Sequence, residues 1–225
     1  MLYPVELRAR SAHYRTAPRC ETESMNHGAE NINKEVEVKL HWRGTATEAR
    51  AHIEAAGYSV SEARALQVDQ LFDRGDRELR NTGQTLRLRQ AANKAIVTYK
   101  GPAESSRYKE REEIEFIVDS AENVQTVLSR LGYQPGFRYE KVRTTFTNKD
   151  AAGLITLDET PIGVYLELEG PGDWIDQTAQ TLGFGVEQYV TDSYAVLYRN
   201  YRAKNPTAPP DMIFNDGEQH STLKK

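Results

Sequence analysis

The 225-residue chain holds one cysteine, Cys20, which excludes an intrachain disulfide framework and a cysteine-based zinc site. That usage suits a reducing compartment, and a cytoplasmic location is expected. No apolar run approaches the roughly 18 residues that a membrane-spanning helix needs, and the opening residues lack the apolar core of a secretory signal. No membrane is therefore expected as a partner. Nor is positive charge in excess, since 29 Lys and Arg face 33 Asp and Glu for a net charge of −4. Nucleic acid is not expected either, and any polyanion site must be a local concentration of Lys and Arg. The histidines, His13, His27, His41, His52 and His220, are scattered without metal or triad spacing. Gly101 follows Lys100 without the spacing of a nucleotide-binding phosphate loop.

What the chain does have is alternation. Residues 1–32 show no sustained period and read as a disordered N-terminal extension, while residues 204–225, with Pro206, Pro209 and Pro210, read as a flexible tail. Between them, over 33–203, segments of period two recur at about 34–42, 66–73, 84–90, 95–101, 110–118, 138–148, 153–159 and 163–170. Helical periodicity is found at 47–56, 121–131, 173–182 and 192–202, with Ser120 as an N-cap and Gly57 and Gly132 as stops. Most links between strands are too short for a helical crossover, so the sheet is expected to be antiparallel. The tyrosines at 189, 194, 198 and 201 recur near helical spacing and read as packing residues.

Successive side chains of a strand point to opposite faces. The stretch NKEVEVKL at 33–40 therefore sets Glu35, Glu37 and Lys39 against Val36, Val38 and Leu40. The same sorting puts Arg87 with Arg89, Thr98 with Lys100, Arg111 with Glu113 and Glu115, and Lys141 with Arg143. Asp158, Glu167 and Glu169 share the charged face of the last two strands. If the apolar face lies under helices, the charged face turns inward, and a closed sheet of about eight strands leaves room for side chains or one small ligand. The expected fold is thus α+β, a closed eight-stranded antiparallel β-barrel with helices packed outside. Its lumen would carry seven of these acids and seven bases. A dry lumen of that kind is a poor stability device. A hydrated tunnel suits the pattern better, with Arg and Lys holding phosphate oxygens and carboxylates holding a hard divalent cation.

With these residues in order, the chain resembles the CYTH superfamily, the triphosphate tunnel metalloenzymes. The resemblance rests on ExExK at 35–39, LFD at 71–73, LRLR at 86–89, VTYKGP at 97–102, REEIE at 111–115, EKVR at 140–143, ITLDE at 155–159 and YLELE at 165–169. It implies a barrel that binds a triphosphate with Mg2+ or Mn2+. Glu35, Glu37, Asp158, Glu167 and Glu169 would then be metal-side carboxylates, and Lys39, Arg87, Arg89, Lys100, Arg111, Lys141 and Arg143 would bind substrate. Lys100, Glu37 and Lys39 would be catalytic, with Glu113 and Glu115 orienting them. The implied ligand is inorganic triphosphate, ATP or thiamine triphosphate, and a homodimer is compatible with the family. Hydrolysis of the terminal phosphoanhydride is the leading expectation, and class IV adenylate cyclisation is the alternative. A non-catalytic triphosphate-binding module would keep the bases without needing the carboxylates. Thr85 stands where animal thiamine triphosphatases carry a Trp, and Ala29 and Glu30 stand where class IV cyclases carry a His-Phe pair.

Overall fold

The computed structural model of the protein describes residues 34–91, 94–150 and 152–215. The expected N-terminal extension and the end of the expected tail lie outside the described residues. In chain order the elements are β1 (Lys34–Trp42), α1 (Ala46–Ala55), β2 (Ser59–Asp73), α2 (Glu78–Asn81), β3 (Thr85–Ala91), β4 (Lys94–Lys100), β5 (Glu104–Ser105) and β6 (Lys109–Val118). There follow α3 (Ala121–Arg130), β7 (Gln134–Thr147), β8 (Leu154–Thr160), β9 (Gly163–Glu169), α4 (Gly172–Thr181), a 3-10 turn (Val186–Gln188), β10 (Tyr189–Val190) and α5 (Tyr194–Lys204).

Eight of these strands close a ring in the order β1-β9-β8-β7-β2-β3-β4-β6, and β6 pairs back onto β1. Every pairing in the ring is antiparallel. The closing seam sets Glu35 opposite Arg111 and Glu37 opposite Lys109. Short β5 and β10 extend β6 and β1 at the ring's margin.

The apolar faces point outward, as the alternation requires. Val38, Leu40, Ile155, Leu166 and Leu168 pack under Ala49 and Ile53 of α1 and Ile175 and Ala179 of α4. Burying each Leu or Ile stabilises by about 1.5–3 kcal/mol, so this outer layer can hold the wall while the inner face stays charged. Thr45 and Glu48 form a reciprocal capping box that starts α1 at the end of β1. On the other side of the barrel, Val124 and Leu128 of α3 cover Leu88 and Val97, and Ser120 caps α3 as expected.

Three differences from the sequence reading have physical causes. Strand β2 begins at Ser59 rather than near 66, because register shifts against β7 between Val60 and Ala65 break the alternation. Strand β7 begins at Gln134, and Pro135 is tolerated beside a further irregularity opposite Phe72. Residues 205–215, read as the start of a flexible tail, lie against β7. There Met212 is fully buried, its N–H donates to Arg138 O, and its carbonyl accepts from Glu140 N.

Candidate functional site

The inward faces converge on one charged lumen. At the seam, Lys100 Nζ sits 2.6 Å from Glu35 Oε1 and 3.0 Å from Glu113 Oε2. Arg111 Nε donates to Glu35 at 3.2 Å, and Lys109 Nζ to Glu37 at 2.8 Å. Deeper, Lys39 Nζ bridges Glu37 and Glu167 at 3.2 Å each. Arg143 forks onto Asp158, with Nε donating to Oδ1 at 2.6 Å, and also pairs with Glu167. Lys141 Nζ reaches Asp158 at 2.9 Å. On the β2–β3 wall, Arg89 Nε donates to Asp69 at 2.8 Å, and Arg87 donates to Thr98 Oγ1 at 2.9 Å.

All the expected residues except Glu115 are thus drawn into the lumen or its lining. Glu115, with a side chain 45% exposed, stands at the margin, where it accepts from Thr98 Oγ1 at 3.0 Å and lies 3.4 Å from Arg87. Three lumen residues were absent from the sequence reading. Asp69 escaped because its i−2 and i+2 neighbours on β2, Gln67 and Leu71, are uncharged, so it lacks the i, i+2 pair that marked the other strands. Lys109 escaped because the strand was read from 110, one residue too late, so its charged stripe began at Arg111. Tyr194, read as packing, does pack in the cluster with Tyr139 and Tyr165 and also reaches into the tunnel, where its hydroxyl donates to Asp158 Oδ2 at 2.7 Å. Its ring lies 5.4 Å from Lys39 Nζ and 5.0 Å from Lys141 Nζ. Only the position of α5 beyond β10 brings it there.

The electrostatics divide the lumen. Burial opposes the charge of Lys39, yet Glu167 and Glu37 outweigh it and its pKa is raised. Lys141 behaves in the opposite way: burial and the neighbouring Arg143 bring it down to about 8 despite the Asp158 contact. Burial and Lys39 likewise lower Lys109 to about 8. Asp158 and Glu167 are lowered, because adjacent cations overcome the burial that would raise them. Glu169 differs, since burial and the nearby Glu35 and Glu37 push it up to about 7. No ion pair within 4.0 Å serves it among the described residues, and it faces Glu37 across the β1–β9 register.

That arrangement bears on a metal. Among the described residues, no group of three or more acidic, His or Cys side chains is arranged around a common point. Asp158 and Glu167, expected on the metal side, are instead engaged by Arg143, Lys141 and Lys39. Glu35 and Glu37 are engaged as well, by Lys100 and Arg111 and by Lys39 and Lys109, but together with Glu169 they supply hard oxygen donors of the kind that Mg2+ or Mn2+ takes. Buried Arg87 Nε and Thr156 Oγ1 have no hydrogen-bond partner, which fits a polar ligand in the same space.

The lumen opens in two directions. A cleft of about 1040 Å3 is lined by Arg87, Lys100, Lys109, Arg111, Tyr139 and Tyr194 among others. A smaller opening of about 560 Å3 is lined by Glu35 and Glu169. Bases outnumber acids at the wide mouth, and Glu35 and Glu169 outnumber Lys34 at the narrow one. Among the described residues, no helix is long and apolar enough to cross a membrane.

The CYTH domain pattern matches residues 33–194. A Methanocaldococcus jannaschii protein named "Putative adenylate cyclase MJ0240" is 30% identical over 138 residues, covering 61% of this chain and 76% of that protein. Among solved structures, a "putative adenylate cyclase" from Vibrio parahaemolyticus superposes with a TM-score of 0.64 at 19% identity, over 73% of this chain and 97% of that one. The "Putative adenylyl cyclase HpAC1" from Hippeastrum, described with a dominant triphosphatase activity, superposes with a TM-score of 0.57 at 16% identity. That match covers 75% of this chain and 95% of the other.

Proposed function

Since the chain belongs to the CYTH family, we propose that it hydrolyses the terminal phosphoanhydride of an inorganic or organic triphosphate within the barrel, with Mg2+ or Mn2+ as cofactor. The observation that carries this reading is the state of the lumen charges. They are dense and buried, and they leave Arg87 Nε with no hydrogen bond, only an ion pair to Asp69 at 3.4 Å, and Glu169 with no ion pair within 4.0 Å among the described residues. Such a set is costly when dry. A triphosphate brings about four negative charges near neutral pH, which the bases and a divalent cation would balance.

Arg87, Arg89 and Arg143 present planar forks suited to two phosphate oxygens at once, and Lys39 and Lys141 supply point charges. Glu35, Glu37 and Glu169 would hold the divalent cation, which when bound supplies charge neutralisation at the phosphoryl oxygens. Lys100, fixed between Glu35 and Glu113, would orient the attacking water. The bases are held in place by their carboxylates before substrate arrives, so charge developing on the bridging oxygen meets preset donors.

A second reading, cyclisation of ATP to cyclic AMP and pyrophosphate, is favoured by one observation: the archaeal relative at 30% identity carries an adenylate cyclase name. The two readings differ in nucleophile, water in one and the ribose 3' hydroxyl in the other. Incubating the chain with inorganic triphosphate, ATP and thiamine triphosphate, each with Mg2+ or Mn2+, separates them. Orthophosphate supports hydrolysis, and cyclic AMP with pyrophosphate supports cyclisation. Binding without any product overturns both and leaves a binding module.

A further inference from the structure

The wide cleft has an outer tier of cations that the tunnel charges do not use. Arg77 and Arg80 reach it from the segment around α2, and Arg199 and Arg202 from α5. All four are exposed. No carboxylate lies within 4.0 Å of any of them among the described residues, whereas the inner bases Lys100, Lys109 and Arg111 are each tied to a glutamate. Two acids share the cleft lining, Asp73 and Asp192. Asp73 is spent on backbone, because its carboxylate accepts the N–H groups of Arg74, Leu79 and Arg80 at 2.8, 3.0 and 3.0 Å. That clamp holds the segment carrying Arg77, the one described non-glycine residue with positive φ, at 61°. On α5, Arg199 and Arg202 are three residues apart and share the cleft-facing side with Ala195 and Val196. The cleft, at about 1040 Å3, is at the upper end for a small-molecule site and larger than three phosphates need.

We propose that Arg77, Arg80, Arg199 and Arg202 form a second anion subsite at the tunnel mouth, which binds a further phosphate group of a ligand whose triphosphate lies in the lumen. The inference rests on the tunnel reading above and extends it outward. Two kinds of ligand share this chemistry: a linear chain of more than three phosphates, and a nucleoside triphosphate phosphorylated on its sugar. Arg202 Nε donates to Ala208 O at 3.3 Å, and none of the four is neutralised by a carboxylate among the described residues, so at an open mouth they attract such a group over a screened range and the contribution should weaken with salt.

Calorimetric titration without divalent metal tests this, using inorganic triphosphate against linear tetraphosphate and ATP against 3'-phosphorylated ATP. Tighter binding by about fivefold or more is expected for at least one phosphate-extended ligand, and the arm that gains identifies the source. In the Arg199→Gln, Arg202→Gln double variant the advantage should shrink to within about twofold, while triphosphate affinity holds within about twofold. Equal affinities in the parent, or an advantage that survives in the double variant, overturn the subsite. If the parent binds no triphosphate even after Mg2+ is added, the tunnel reading falls and the subsite falls with it. Intact triphosphate binding with no added gain removes the subsite alone.

Discussion

Tyr194 donates its hydroxyl to Asp158 Oδ2 at 2.7 Å, on a carboxylate that Lys141 and Arg143 also claim. The phenol comes from the first turn of α5, which Ser193 caps, and the carboxylate comes from β8. Asp158 is fully buried, so each of its donors matters to where the two bases stand. Tyr194→Phe keeps the ring between Lys39 and Lys141 and removes only the donor. It should cost about 1–2 kcal/mol of stability and also weaken triphosphate binding. Urea denaturation and titration read the two effects, and a stability change below about 0.5 kcal/mol would place the contact among the inconsequential ones.

Arg87→Lys and Arg89→Lys keep the net charge but lose the planar fork. Each should weaken triphosphate binding by about 1.5–3 kcal/mol, the worth of a hydrogen bond to a charged group. Calorimetry with folding checked separately decides the matter. Parent-like affinity in both variants contradicts a phosphate role for β3.

Glu35→Gln and Glu169→Gln should each lower activity by about two orders of magnitude or more, because each removes a hard anionic donor. Their effects on the metal-free fold should differ. Glu35 neutralises Lys100 and Arg111, so its loss leaves buried cations uncompensated and destabilises. Glu169 has only acids pressing on it beyond its burial and the attraction of Lys100, so its amide should leave the melting temperature unchanged or raise it. Equal destabilisation by both variants would refute this division.

Met212 is fully buried against the Tyr139, Tyr165, Tyr194 and Tyr198 cluster. Met212→Ala should cost about 2–5 kcal/mol, the usual cost of emptying a core site. A thermal melt within a degree of the parent would show that residues 205–215 contribute little to the fold.

The sequence by itself determined how each strand is sorted. Alternation is a local property of the extended chain, so the pairs Glu35 and Glu37, Arg87 and Arg89, and Lys141 and Arg143 could be placed on one face from spacing alone. Helix starts at Ser120 and stops at Gly57 and Gly132 were equally local. Tertiary structure decided which face is the interior and who meets whom inside it. Ile114 and Phe116 lie on the apolar face of β6, yet they are 51% and 53% exposed, because the cluster that holds α3 takes in only Val118 from that face of the strand. The pairing of Asp69 with Arg89 depends on register between β2 and β3. The contact of Tyr194 with Asp158, and the burial of Met212 at the end of a proline-rich stretch, depend on how the chain returns after the ring has closed at the β1–β6 seam. These contacts join residues far apart in the chain, and no period of two or 3.6 residues encodes such a distance. Ring closure fixes them, by bringing strand ends together whose side chains must then satisfy one another's charge.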